Sequence, residues 1–142
     1  MRLLGIDLGS KRIGVAVSDR SGTIASPLTV ITRAKTQRLD HEEIARLVVE
    51  EEAEGIVVGL PLNMDGTLGS AAQSAQREVE RMATVVGVPV YLHDERRSTV
   101  QADQSMVQRN MNASDRRAVV DKVAAAFILQ SWLDAHQEGD AS

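Results

Sequence analysis

Asp7 is a carboxylate set inside an apolar run. Leu3-Leu4-Gly5-Ile6 precedes it and Leu8-Gly9-Ser10-Lys11 follows. The run reads as a central strand, where an ionised carboxylate is costly to bury unless a cation pairs with it. Asp94 and Glu95 close a second apolar run, Val88 to His93, and Asp121 comes early in a helical pattern. Acidic groups from two strands and a helix can hold two divalent cations roughly 4 Å apart. Such a pair activates water and stabilises the leaving oxygen of a phosphodiester. The chain has no cysteine, so a metal must be held by oxygen or imidazole, and carboxylates favour Mg²⁺ or Mn²⁺. Either Glu95 or Asp94 fits as the second strand's ligand, and Asp94 alternatively caps a helix at Ser98.

Basic pairs stand beside each candidate acid: Lys11-Arg12, Arg96-Arg97 and Arg116-Arg117. They suit contact with a phosphate backbone. The loop from Pro61 to Gly69 offers Asn63, Asp65 and Thr67 to a phosphate or a base; equally, it only redirects the chain into the next helix. Asp19, Asp65 and Asp115 read as turn residues. His93, preceded by apolar residues, reads as a hydrogen-bonded core histidine and not as a ligand.

The elements that must position these groups follow from periodicity. Residues 2–8, 12–19 and 23–31 predict an antiparallel meander, with Pro27 marking the third strand as an edge. A helix is expected over 37–53, with Leu39, Ile44, Leu47 and Val48 inward, ended by Gly55. Ile56 to Leu60 is a short, wholly apolar strand. A second helix is expected over 70–86, its apolar stripe being Ala72, Ala75, Val79, Met82 and Val86, with Gly87 as cap. A strand over 88–93, a helix over 98–109, a polar mobile stretch over 110–117 and a last helix over 118–136 complete the chain. Crossovers make the two late strands parallel to the first. The expected architecture is α/β: a mixed five-stranded sheet, three strands in an antiparallel meander plus two parallel strands, flanked by helices. The carboxyl ends of the first, fourth and fifth strands then share one edge, where sites form in such sheets.

The chain has 142 residues, 43% of them hydrophobic, which fits one domain, here 1–137, with a frayed tail over 138–142. Aromatics make up only 2%, so the core must be aliphatic. A formal net charge of −4 argues against a general nucleic-acid coating protein but not against a nuclease with an acidic centre. No apolar run approaches the roughly 20 residues needed to span a bilayer. The amino terminus reads as a strand and not as a signal segment. A cytoplasmic protein without membrane contact is expected.

Four motifs carry a resemblance that covers nearly the whole chain. They are Gly5-Ile6-Asp7-Leu8-Gly9-Ser10-Lys11-Arg12-Ile13-Gly14-Val15-Ala16, Val58-Gly59-Leu60-Pro61-Leu62-Asn63-Met64-Asp65-Gly66-Thr67, Asp94-Glu95-Arg96-Arg97-Ser98-Thr99-Val100 and Val120-Asp121-Lys122-Val123-Ala124-Ala125. In this order they resemble the bacterial YqgF/RuvX family of pre-16S rRNA nucleases and Holliday junction resolvases. The resemblance implies a ribonuclease H-like fold and an acidic catalytic triad at Asp7, Glu95 and Asp121. It departs at Arg97, where the family usually has Leu, and at Lys122, where it commonly has Ser; both add positive charge near the site. The related RuvC type often carries an acid or histidine three residues beyond the last Asp, where this chain has Ala124. A second metal would then be held weakly or with help from Asp94.

The implied function is a divalent-metal-dependent nuclease processing the 5′ end of pre-16S rRNA. Water attack would leave a 5′-phosphate and a 3′-hydroxyl. The partner would be structured RNA, contacted by Lys11, Arg12, Asn63, Thr67, Arg96, Arg97, Arg116, Arg117 and Lys122. The alternative substrate is four-way junction DNA, whose two symmetric cuts need a dimer; a monomer or weak homodimer is expected here. A non-catalytic ribosome-assembly factor using the same surface is a third reading. Asp7-Leu8-Gly9-Ser10 also resembles the first phosphate loop of sugar kinases and actin-like ATPases. That reading needs a second phosphate loop and an adenosine motif, for which these 142 residues leave no room.

Overall fold

The computed structural model describes residues 1–63, 65–94 and 113–140, apart from the side chains of 113–118 and 137–140. Five strands form one sheet: β1 (Leu3–Leu8), β2 (Arg12–Ser18), β3 (Ala25–Thr32), β4 (Gly55–Leu60) and β5 (Val90–Asp94). Their order is β3-β2-β1-β4-β5. β1, β2 and β3 pair antiparallel, while β4 runs parallel to β1 and β5 parallel to β4. This is the expected meander with two parallel additions. Pro27 lies on the edge strand, opposite Ala16, where the β2–β3 register shifts. The bulge absorbs a residue that cannot donate to the ladder.

Strand alternation divides the core. Leu4, Ile6, Ile13, Val15, Ile56 and Val58 face α1 (Gln37–Glu50) and α2 (Ser70–Val86). Leu3, Ala16 and Val57 face α3 (Ala113–Asp140) through Ala125, Ile128, Leu129 and Leu133. Both layers are almost wholly aliphatic, as the shortage of aromatics requires. Helix α2 has the expected span, and Gly87 caps it in the left-handed conformation at φ 73°.

Four expectations are corrected. Leu39, assigned to the inner stripe of α1, is exposed, and Asp40 and His41 are buried beside it. Gly55 does not stop α1: the helix ends at Glu50 and is capped by Glu51, and Gly55 opens β4. Residues 113–117, expected as a mobile stretch with Asp115 in a loop, are the first residues of α3. The same helix continues to Asp140, beyond the expected end at 136. The helix expected over 98–109 lies outside the described residues. Among the described residues no helix is long and apolar enough to cross a membrane.

Candidate active site

Register brings Asp7 and Asp121 together. Leu3, Gly5 and Asp7 alternate onto the α3 face of β1, and Arg12, Gly14 and Ala16 do so on β2. Asp7 is paired with Gly14 across the ladder, and Gly14 lies directly beneath the backbone of Asp121. A Cβ on Gly14 would overlap the Asp121 carbonyl oxygen. Gly5, two residues before Asp7, makes the same allowance further along α3: a Cβ there would come within 2.7 Å of Leu129 Cβ and 2.8 Å of the Ala125 carbonyl. Missing side chains at these two strand positions let the helix settle onto the sheet. Asp121 is thereby set over the carboxyl end of β1.

The electrostatics are those of two acids sharing a site. Burial, first, and the negative charge of Asp121, second, push the Asp7 pKa from 3.8 up to about 6. Arg12 offsets part of the charge: its Nε donates to Asp121 Oδ2 at 2.6 Å, and both side chains are partly buried. Arg12 is therefore engaged inside the site, while Lys11 beside it is exposed on the turn between β1 and β2. Lys122 follows Asp121 on α3 and is half-buried.

On β5, Tyr91 stacks on Trp132 of α3 with ring centroids 5.3 Å apart. His93 Nε2 lies 2.9 Å from Ser131 Oγ, also on α3. His93 is thus hydrogen-bonded as expected, but half-buried and not in the core; burial lowers its pKa, with Asp94 opposing and His136 adding to the effect. Alternation then assigns Asp94 to the opposite face from Asp7 and Asp121. Asp94 ends β5 in register with Leu60.

The loop after β4 is closed on its own side chains. Asn63 Nδ2 donates to Thr67 Oγ1 at 3.0 Å, and the Thr67 hydroxyl and amide donate to Asp65 Oδ1 at 2.6 and 3.0 Å. The Gly66 amide donates to the Asn63 carbonyl at 2.8 Å. Asn63 and Thr67 are exposed but already serve as the turn's internal donors and acceptors. Glu95, Arg96 and Arg97 lie outside the described residues. Arg116 and Arg117 fall within α3, their side chains outside the description. Among the described residues no group of three or more His, Asp or Glu side chains could hold a metal ion; at the expected site the structure brings together Asp7 and Asp121, with Arg12.

The sequence profile of the family described as "RuvX: Holliday junction resolvase" matches residues 1–135. The chain belongs to the RuvX family. A RuvX relative from Myxococcus xanthus is 44% identical over 140 residues, 99% of this chain and 92% of its own length. One from Thermoanaerobacter pseudethanolicus is 44% identical over 138 residues, 96% and 99% of the two chains. Both bear the name "Putative pre-16S rRNA nuclease". Among solved structures, Thermus thermophilus RuvC in complex with a Holliday junction substrate aligns with TM-score 0.56 at 19% identity, over 96% of each chain. That likeness establishes for this RuvX chain the RuvC-type, ribonuclease H-like fold.

One structural feature is not legible in the sequence. Arg33, Asp40, His41 and Glu78 form a largely buried ionic cluster behind the β1–β2 turn. The only signal was polar: Glu78 falls on the inward stripe of α2, one position before Val79.

Proposed function

We propose that this chain is a divalent-metal-dependent nuclease acting on structured RNA, with the 5′ end of pre-16S rRNA as its target. The observation that carries the reading is the placement of Asp7 beneath Asp121, with burial and mutual repulsion raising the Asp7 pKa to about 6. Two acids are held together at an energetic cost that a hard cation would relieve. The names of the curated relatives support the RNA substrate.

The donor set fits Mg²⁺ or Mn²⁺, which favour carboxylate oxygen. Asp7 and Asp121 are two ligands. Glu95, the remaining member of the acidic triad that the family resemblance implies, is the third. When bound, the cation supplies Lewis acidity and an activated water at the scissile phosphate. Asp7 must be ionised to ligate, so metal binding weakens as pH falls through about 6. Lys11 reaches the phosphate backbone from the turn, and Arg12 joins it when it leaves Asp121. Asn63 and Thr67 contribute a preformed polar loop, and Arg96, Arg97, Arg116, Arg117 and Lys122 extend the basic surface. The products carry a 5′-phosphate and a 3′-hydroxyl.

The test uses purified protein with Mg²⁺ or Mn²⁺ on an RNA containing the 5′ leader of the small-subunit rRNA, beside a four-way DNA junction. Cleavage of the RNA by wild type and its loss in Asp7→Asn support the reading. Equal cleavage by Asp7→Asn overturns it. Selective cutting of the junction would favour the second reading, which the family's description suggests.

A further inference from the structure

Behind the β1–β2 turn, one arginine joins three elements. The backbone N–H of Arg33, just after β3, donates to the Lys11 carbonyl at 3.0 Å. Its Nε donates to the Gly9 carbonyl, also at 3.0 Å. The rest of the guanidinium faces away from the turn. One terminal nitrogen donates to Glu78 Oε2 at 2.6 Å and Asp40 Oδ2 at 3.1 Å, and the other to Glu78 Oε1 at 2.9 Å. Asp40 also accepts the Ala34 amide at 2.7 Å, which fixes the chain next to Arg33. Burial alone would raise the Glu78 pKa, but bonds from Arg33 and His41 outweigh it and hold Glu78 below its usual range. Glu78 therefore only accepts, so His41 Nε2, 2.9 Å from Oε2, carries a proton.

Stability alone is a weak explanation for this cluster. Asp40, His41 and Glu78 are each at most 5% exposed, and well-packed neutral residues replace buried ion pairs with little or no loss of stability. What the cluster supplies is geometry. A planar fork pinned to α1 through Asp40 and to α2 through Glu78 leaves Nε one direction, toward Gly9. Asp7 itself is fixed by the ladders of β1 with its neighbours. The turn beyond it, residues 9–11, has within itself only the bonds from the Gly9 amide to the carbonyls of Asp7 and Arg12, while Arg12, where β2 begins, is paired with Thr32 and bonded to Asp121.

We propose that Arg33 is a positioning residue: held by Asp40, Glu78 and His41, it clamps the β1–β2 turn so that Lys11 and Arg12 meet the phosphate backbone in one fixed geometry. The assignment of Lys11 and Arg12 to the backbone rests on the nuclease reading above; the clamp itself does not.

The test compares wild type with two variants. Arg33→Met/Asp40→Asn/Glu78→Gln neutralises the cluster at similar volume, and Arg33→Lys keeps the charge but loses the fork. Hydrogen exchange of the peptide covering 8–12 is read first, then KM and kcat on the leader RNA. Both variants should melt near wild type. Exchange in 8–12 should speed by about tenfold, the loss expected for a charge-assisted bond. KM should rise by about tenfold with kcat within about twofold. Wild-type exchange at 8–12 in a folded variant overturns the clamp, and so does faster exchange spread evenly over the molecule. Faster exchange with unchanged KM overturns the link to substrate. If wild type neither binds nor cuts the RNA, the nuclease reading has failed, while the exchange data still decide the clamp.

Discussion

Replacing Asp7 by Asn should make the folded protein more stable while removing its activity. The carboxyl titrates near 3.8 in the unfolded chain and about 6 in the folded protein, because of burial and then the charge of Asp121. Between those pH values the folded state holds the extra proton. Stability therefore falls as pH climbs through that window, and the full penalty stands above pH 6. A rise of that size corresponds to about 3 kcal/mol. Asp7 keeps some solvent contact, so about 1–2 kcal/mol is the realistic gain for Asp7→Asn at pH 7.5. For a chain of this length that raises Tm by roughly 3–8 °C. The assay is thermal and urea unfolding in EDTA from pH 4 to 8. The two proteins should match near pH 4 and diverge through pH 6. Millimolar Mn²⁺ should then stabilise wild type by about 1 kcal/mol or more and leave Asp7→Asn nearly unmoved. A variant less stable than wild type at pH 7.5, or a gap that does not change with pH, would refute the picture of Asp7 as a repelled, desolvated acid.

Further outcomes follow from the same geometry. Gly14→Ala places a methyl against the Asp121 carbonyl, so it should cost about 1–3 kcal/mol in urea unfolding and weaken Mn²⁺ binding by displacing α3. Arg12→Ala removes the cation bonded to Asp121; by calorimetry Mn²⁺ should bind several-fold more tightly, while RNA affinity falls and its salt dependence loses about one phosphate contact. Asp94→Asn should keep kcat within about threefold, whereas Glu95→Gln should lose at least about a hundredfold, measured on the leader RNA.

Much of the fold was legible because its signals are local. Alternation fixed β1 and β2, the apolar run Ile56 to Leu60 could only be a doubly covered strand, and Pro27 could only sit at an edge. Helix α2 announced itself through a stripe at helical spacing and a glycine at its end. The pairing of Asp7 with Asp121 was reached from motif order and strand direction. Its structural cause, two glycines beneath α3, depends on which strand faces which helix, and no spacing rule shows that. The Arg33 cluster was hidden for a related reason. Asp40 looks like an ordinary acid of a solvated helix face, and the inward place of Glu78 on α2 names no partner; only the packing of α1 against α2 brings both to one guanidinium. Leu39 is the converse: its type suggested the core, while Asp40 and His41 took the inward positions to meet Arg33 and Glu78.

Metal-dependent catalysis requires that Asp7 and Asp121 hold a cation. Crystals grown with Mn²⁺, with anomalous scattering recorded, test this directly. A peak is expected at a carboxylate–metal distance of roughly 2.0–2.2 Å from oxygens of Asp7 and Asp121, with Glu95 completing the set and Arg12 withdrawn from Asp121. A peak coordinated elsewhere, or an Arg12–Asp121 pair that persists in saturating Mn²⁺ with no peak beside Asp7, would contradict it.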